Sequence, residues 1–158
     1  MPRLVRSAML VGLFVLAANA WAPPPGRSAP PSTDVKVKSF RVLPLEDAAA
    51  RLDAARVAGE PWVSDPLAVA LHACGIWPDS SGERRTLRIA VDGDGRESPR
   101  AITVTVVSSG LLDDSTAALW QQIRLERTSG VWRLVEHRTA RQCWRGATGS
   151  AFVAEPCP

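Results

Sequence analysis

Tyrosine is absent from the chain, histidine occurs twice and cysteine three times in 158 residues. Each shortage removes a class of chemistry. His72 and His137 are the only imidazoles, so zinc spacings such as HxxxH or CxxC do not exist here, even with Cys74 close to His72. No GxSxG segment occurs, which removes the nucleophile elbow and leaves only a dispersed Ser–His–Asp arrangement open. Asp92-Gly93-Asp94-Gly95 begins like a calcium loop, but Arg96 and Thr103 stand where an EF-hand needs an oxygen ligand and its closing glutamate. A solvated turn is the expectation there. These patterns call for no metal and no cofactor.

Long apolar runs are also missing. The run Ala8–Ala18 falls short of the roughly 20 residues that a membrane helix needs. It follows Arg3 and Arg6 and ends at Ala18-Asn19-Ala20, the order of a secretory signal peptide with a small-x-small cleavage site. Residues 1–20 are therefore read as a signal peptide. The mature chain is expected in the periplasm or outside the cell, with no membrane attachment after cleavage. Loss of Arg3 and Arg6 takes the balance from 19 basic against 16 acidic to 17 against 16. The remaining arginines are interleaved with Glu and with apolar positions, and no reader motif is present, which sets nucleic acid aside. Residues 21–33, WAPPPGRSAPPST, read as an extended Pro-rich spacer, and 34–158 as one domain.

What the chain does have is alternation. Ile102, Val104 and Val106 alternate with Thr103 and Thr105; Ile123 and Leu125 with Arg124 and Glu126; Trp132 and Leu134 with Arg133 and Val135. Ser129-Gly130 separates the last two runs. A two-residue loop there sets Leu125 opposite Leu134 and Glu126 opposite Arg133, whereas a three-residue loop mixes the faces. The shorter loop is the reading. Thr86 to Val91 forms another strand, with Leu87, Ile89 and Val91 as its core face.

Ahead of the strands lie two helical stretches. Leu45, Ala48, Leu52 and Ala55 recur at helical spacing, with Glu46 and Asp47 in the first turn and Gly59 beyond the last. A second helix is expected from Ser64 as N-cap to Cys74, with Pro66 in its first turn and Leu67, Ala70, Leu71 and Cys74 as its buried stripe. Val35 and Val37 suggest a short extended lead-in. The fold class is α+β: two helices packed on a four- or five-stranded antiparallel meander with one covered face. The expected core is Leu52, Leu67, Leu71, Leu87, Ile89, Val91, Ile102, Val104, Val106, Ile123, Leu125, Trp132 and Leu134.

Three cysteines in an exported chain allow three pairings. The reading favours Cys143–Cys157, which staples the tail to the last strand, and leaves Cys74 as a candidate free thiol. Cys74 is then either a small apolar residue on the helix stripe or an exposed thiol for redox exchange or covalent dimerisation. Asp113-Asp114-Ser115 lies between two strands and reads first as a turn cap. Trp62 and Trp77 flank the second helix, placed to rim a cavity or to cover the core.

The tail carries a resemblance. SGVWRLV followed by RQCWRG, then Phe152 and Cys157, resembles a set of small exported proteobacterial proteins of unknown function, in which a Gly-x-Trp strand leads to Cys, Arg-Gly and a final Cys. Asp113-Asp114-Ser115 is similar as well, and the likeness spans roughly the last third of the chain. Ala147 stands where a His is expected after Arg145-Gly146. The resemblance implies the Cys143–Cys157 pairing and brings no activity with it. The architecture also looks like the nuclear-transport-factor-like or cystatin-like cone folds, where a curved sheet wraps a helix and leaves a pocket. The functional expectation is non-enzymatic binding of a protein partner or small ligand. The alternative is a small pocket enzyme of isomerase or hydrolase type using His72 or Asp114.

Overall fold

The computed structural model describes residues 35–76, 86–111, 113–146 and 149–158. The segments read as signal peptide and spacer, together with Trp77 and Ala147, lie outside the described residues. The elements run β1 (Arg41–Val42), α1 (Glu46–Val57), a 3₁₀ turn (Pro61–Ser64), α2 (Pro66–Ala73), β2 (Thr86–Gly93), β3 (Ala101–Ser109), β4 (Thr116–Thr128) and β5 (Val131–Cys143). The strands form one antiparallel five-stranded sheet in the order β1-β5-β4-β3-β2, and the two helices pack on it.

The hairpin between β4 and β5 forms as read. Leu125 faces Leu134 and Glu126 faces Arg133. Ser129 has φ 51° and Gly130 φ 82°, the two positive values that a two-residue turn matched to strand twist requires. Past Leu134 the register slips: Arg124 faces Glu136, so Val135 is an extra residue on β5. Trp132 and Leu134 point to the helices before it, and His137 does so after it, opposite Ile123.

Both helices end alike. Glu60 N–H donates to the Ala55 carbonyl and Gly59 N–H to Arg56; Ile76 N–H donates to Leu71 and Gly75 N–H to His72. Each is a paired C-terminal cap that needs a left-handed residue, and Gly59 (φ 72°) and Gly75 (φ 71°) supply it. The start of α2 differs from expectation. Asp65, not Ser64, is the N-cap: its carboxylate accepts from Leu67 N at 2.9 Å, with Pro66 in the first turn. Ser64 instead closes the preceding 3₁₀ turn by donating to the Pro61 carbonyl at 2.9 Å. α1 buries only Leu52 and is held further by Arg56, which donates to the Trp132 carbonyl on β5.

The main core joins Leu52, Val69, Ala70, Ile102, Val104, Val106, Ile123, Leu125 and Trp132, with Leu67, Leu71 and Leu134 packed against it. Three expected core residues are not in it. Leu87, Ile89 and Val91 are 36%, 39% and 51% exposed. They do sit on the helix-facing side, opposite Ser108, Val106 and Val104, but β2 is an edge strand and no described helix residue packs over them. The second correction concerns the other face of the sheet. It is not bare: Val107, Ala118, Trp120 and Ala140 are buried there under Phe152, with Val35 and Val37 alongside.

The tail that makes this second cluster is tied down three ways. Val153 exchanges two backbone hydrogen bonds with Arg141, and Phe152 pairs with Val37 as a parallel bridge. Cys143 and Cys157 form a disulfide with Cα atoms 5.4 Å apart. Among the described residues no helix is long and apolar enough to cross a membrane. Replacing Cys143 and Cys157 together by Ser is expected to cost about 3 kcal/mol, the chain-entropy value for a loop of this size. A urea titration reads it, and an unchanged midpoint would mean that Phe152 and the Val153–Arg141 pair hold the tail unaided.

Candidate functional site

His72 lies on α2 and stacks on Trp62 from the 3₁₀ turn, with ring centroids 3.7 Å apart and planes 14° from parallel. Together with Ala48, Leu52, Val69 and Leu134 they line a cavity of about 100 Å³. Burial lowers the His72 pKa from its ordinary 6.5, opposed by the Glu60 carboxylate. A neutral imidazole on an apolar wall is chemically a base, but the space beside it is small. Sites for drug-sized ligands run to about 300–1,000 Å³.

Asp114 is not brought to His72. It sits exposed in the β3–β4 turn, next to the strand end that carries the disulfide. Its neighbour Asp113 does the structural work of that turn, accepting from Ser115 N (2.8 Å), Ser115 Oγ (2.8 Å) and Thr116 N (3.1 Å). These hydrogen bonds, the Ser115 backbone first, hold the Asp113 carboxyl down to about 2. The Asp92–Gly95 segment is likewise a turn built on a carboxylate. Asp94 accepts from Arg96 N at 3.4 Å and Arg100 N at 3.1 Å.

His137, the second of the two imidazoles, has a partner in Gln121. It is 5% exposed, and its Nε2 is 2.9 Å from Gln121 Oε1. Gln121 in turn donates through Nε2 to the Cys74 carbonyl at 3.5 Å, which ties the end of α2 to the sheet. Desolvation lowers the His137 pKa. This is a buried polar strut between helix and sheet, and the extra residue Val135 is what turns His137 inward to make it. Cys74 itself packs against the main core, and burial pushes its thiol up to about 12.

Two larger, open depressions lie elsewhere on the surface. One, of about 260 Å³, is polar and lies on the second face between Thr103, Gln122, Arg124, Glu136 and Arg138. Its charges are already paired within strands, Arg138 with Glu136 and Arg124 with the adjacent Glu126, each at 2.9 Å. The other, of about 550 Å³, runs between Arg100 and the Arg127–Gly130 turn, where Arg127 Nε donates to the Gly130 carbonyl at 3.3 Å. Neither pairs a nucleophile with a base. Among the described residues no group of three or more His, Cys, Asp or Glu is placed to hold a metal ion.

The feature that sequence reading missed is β2 as a surface. Its eight residues pair only with β3 among the described residues, in unbroken register, and its apolar side chains are exposed. Apolar alternation was the signal, but it reports which face a residue takes and not whether anything covers that face.

Two outcomes test this description. A thiol with a pKa near 12 is ionised to only about one part in 10⁴ at pH 8, so Cys74 should resist iodoacetamide in the folded protein and react on unfolding. Rapid native labelling would restore the thiol as a functional group. For His137, the folded pKa is below 6.5, so as pH falls through 6.5 the unfolded chain takes up a proton that the folded chain refuses. Stability should therefore fall below neutral pH, and H137Q should flatten that slope in urea titrations, leaving the contribution of His72, which has the same sign. Asp113 adds a separate loss as pH drops from 3.8 towards about 2. No known protein family, curated protein or solved structure matches this chain.

Proposed function

We propose that the chain is an exported, non-enzymatic domain that binds a protein partner by lending the free edge of β2 to an added strand. The observation that carries this reading is the row Leu87, Ile89 and Val91, exposed on a regular edge strand of eight residues. Folded proteins guard such edges with bulges, prolines, inward charges or very short strands, because the unpaired backbone groups template further pairing. β2 has no bulge, no proline and no inward charge, and among the described residues nothing covers its edge; its two charges, Arg88 and Asp92, lie on the second face. The opposite edge is guarded: β1 is two residues long, and the Ala151–Val153 segment covers β5 beyond it.

Export is supported by the sequence signals and by a disulfide that suits an oxidising compartment. A small-ligand or pocket-enzyme reading has the Trp62–His72 cavity in its favour, but about 100 Å³ admits only a few heavy atoms, and Asp114 is elsewhere. Backbone pairing along β2 needs no cavity. Main-chain hydrogen bonds supply affinity and alternate side chains supply selectivity.

A displayed library of extended peptides, panned on the cleaved domain, tests the proposal. Enriched peptides should alternate apolar residues, and I89K should weaken them about tenfold or more, since a charge then sits in the apolar row. Ala48→Leu, which fills the helix-side cavity, should leave their affinity unchanged. Binding abolished by Ala48→Leu and untouched by I89K would overturn the reading in favour of the cavity.

A further inference from the structure

The edge strand also carries information about what pairs with it. Arg88, Ala90 and Asp92 alternate with the apolar row and lie on the second face, opposite Val107, Thr105 and Thr103. The strand is thus apolar on one face, and on the other bears one positive and one negative residue placed evenly about an alanine. Resting on the reading of β2 as a docking edge, we infer that the partner is a second copy of this chain, paired β2 to β2 antiparallel about a two-fold axis at Ala90.

Symmetry narrows the choice of register. A two-fold axis normal to the sheet keeps the helix-covered faces of both copies on one side, so residues opposed across the seam must belong to the same face. Pairings of this segment are then centred on Arg88, Ile89, Ala90, Val91 or Asp92. Centring on Arg88 or Asp92 opposes like charges at the axis, which is destabilising. Centring on Ile89 opposes Arg88 to alanine and Asp92 to Thr86. Centring on Val91 opposes Asp92 to alanine and sends Arg88 to Asp94, whose carboxylate already accepts from Arg96 and Arg100 backbone.

The Ala90 register alone satisfies both faces. Arg88 of each copy meets Asp92 of the other, giving two opposite-charge pairs on the second face. Ile89 meets Val91 twice on the helix-facing side, which closes the exposed apolar row into one continuous strip with Leu87 at its ends. Ala90, the smallest side chain of the segment, falls at the axis where the chains face their own copies. The result is a continuous ten-stranded sheet, closed because β2 of each copy is then used.

Analytical ultracentrifugation of the cleaved, disulfide-bonded chain tests this together with charge reversal. Wild type is expected to sediment as a dimer at tens of micromolar. Either R88D or D92R alone creates two like-charge pairs and should weaken the dimer about tenfold, and the double reversal should restore it to within about threefold. A90C should cross-link two chains under mild oxidation, since facing Cβ atoms across such a seam are about 5 Å apart. A wild-type monomer up to about 1 mM overturns the inference. If that monomer still binds edge peptides in an I89K-sensitive way, the docking reading stands and the partner is another protein; if it binds none, both fail. A dimer indifferent to R88D, to D92R and to A90C would place the contact elsewhere and overturn the inference as well.

Discussion

One extra residue on β5 decides what each side of the sheet presents. Strand side chains alternate, so a single inserted position exchanges the two faces for everything beyond it. Without the bulge, that is with Val135 in a regular paired position, Glu136 and Arg138 would face the helices in a low-dielectric core, where unpaired charge is costly, and His137 would lie on the second face. With it, the ion pair lies over the polar depression and His137 enters the core. There the Gln121 contact satisfies its ring nitrogen, and Gln121 reaches the last turn of α2. The way the helices sit on the sheet therefore follows from a backbone irregularity near the middle of β5.

The same sheet has two unlike margins. At one, β1, the lead-in around Val37 and the Phe152 segment overlap in short pieces, closed by a disulfide, and a second small core lies beneath them. At the other, among the described residues, a long regular strand ends the sheet with its apolar side chains exposed. The difference is not one of composition, since β2 and β3 alternate in much the same way. It is a difference of cover, because among the described residues α1 and α2 pack on β3, β4 and β5, and no helix residue joins Leu87, Ile89 and Val91 in a core cluster.

That boundary also separates what could be read from the chain alone from what could not. Hairpin register was legible, since Ser129-Gly130 admits few turns and only one brings Glu126 to Arg133. The disulfide formed between the favoured pair of the three possible, which the resemblance of the tail also implied, and the end of α1 was legible from Gly59. Leu87, Ile89 and Val91 were misplaced because periodicity reports a face and is silent about its neighbours. Val135 escaped notice because a break in alternation within β5 looks the same as a strand that is apolar on both sides. Trp120 and Phe152 meet only through tertiary folding, so their cluster left no local signal. Ser64 and Asp65 compete for one cap, and adjacent residues of equal propensity are separated only by the turn that uses the other.

The parallel pairing of Val37 with Phe152 has a geometric consequence for the whole molecule. It brings the beginning and the end of the described chain side by side at one margin, so the path of the backbone is nearly a closed ring. Strands lie about 4.8 Å apart, which sets β2 roughly 20 Å across the sheet from that junction. Beyond Phe152 the chain runs back to the Cys143 end of β5, where the Cys157 sulfur lies 3.8 Å from the Thr116 hydroxyl of β4. The Val37–Phe152 junction and the exposed apolar row of β2 thus lie at opposite margins of one sheet.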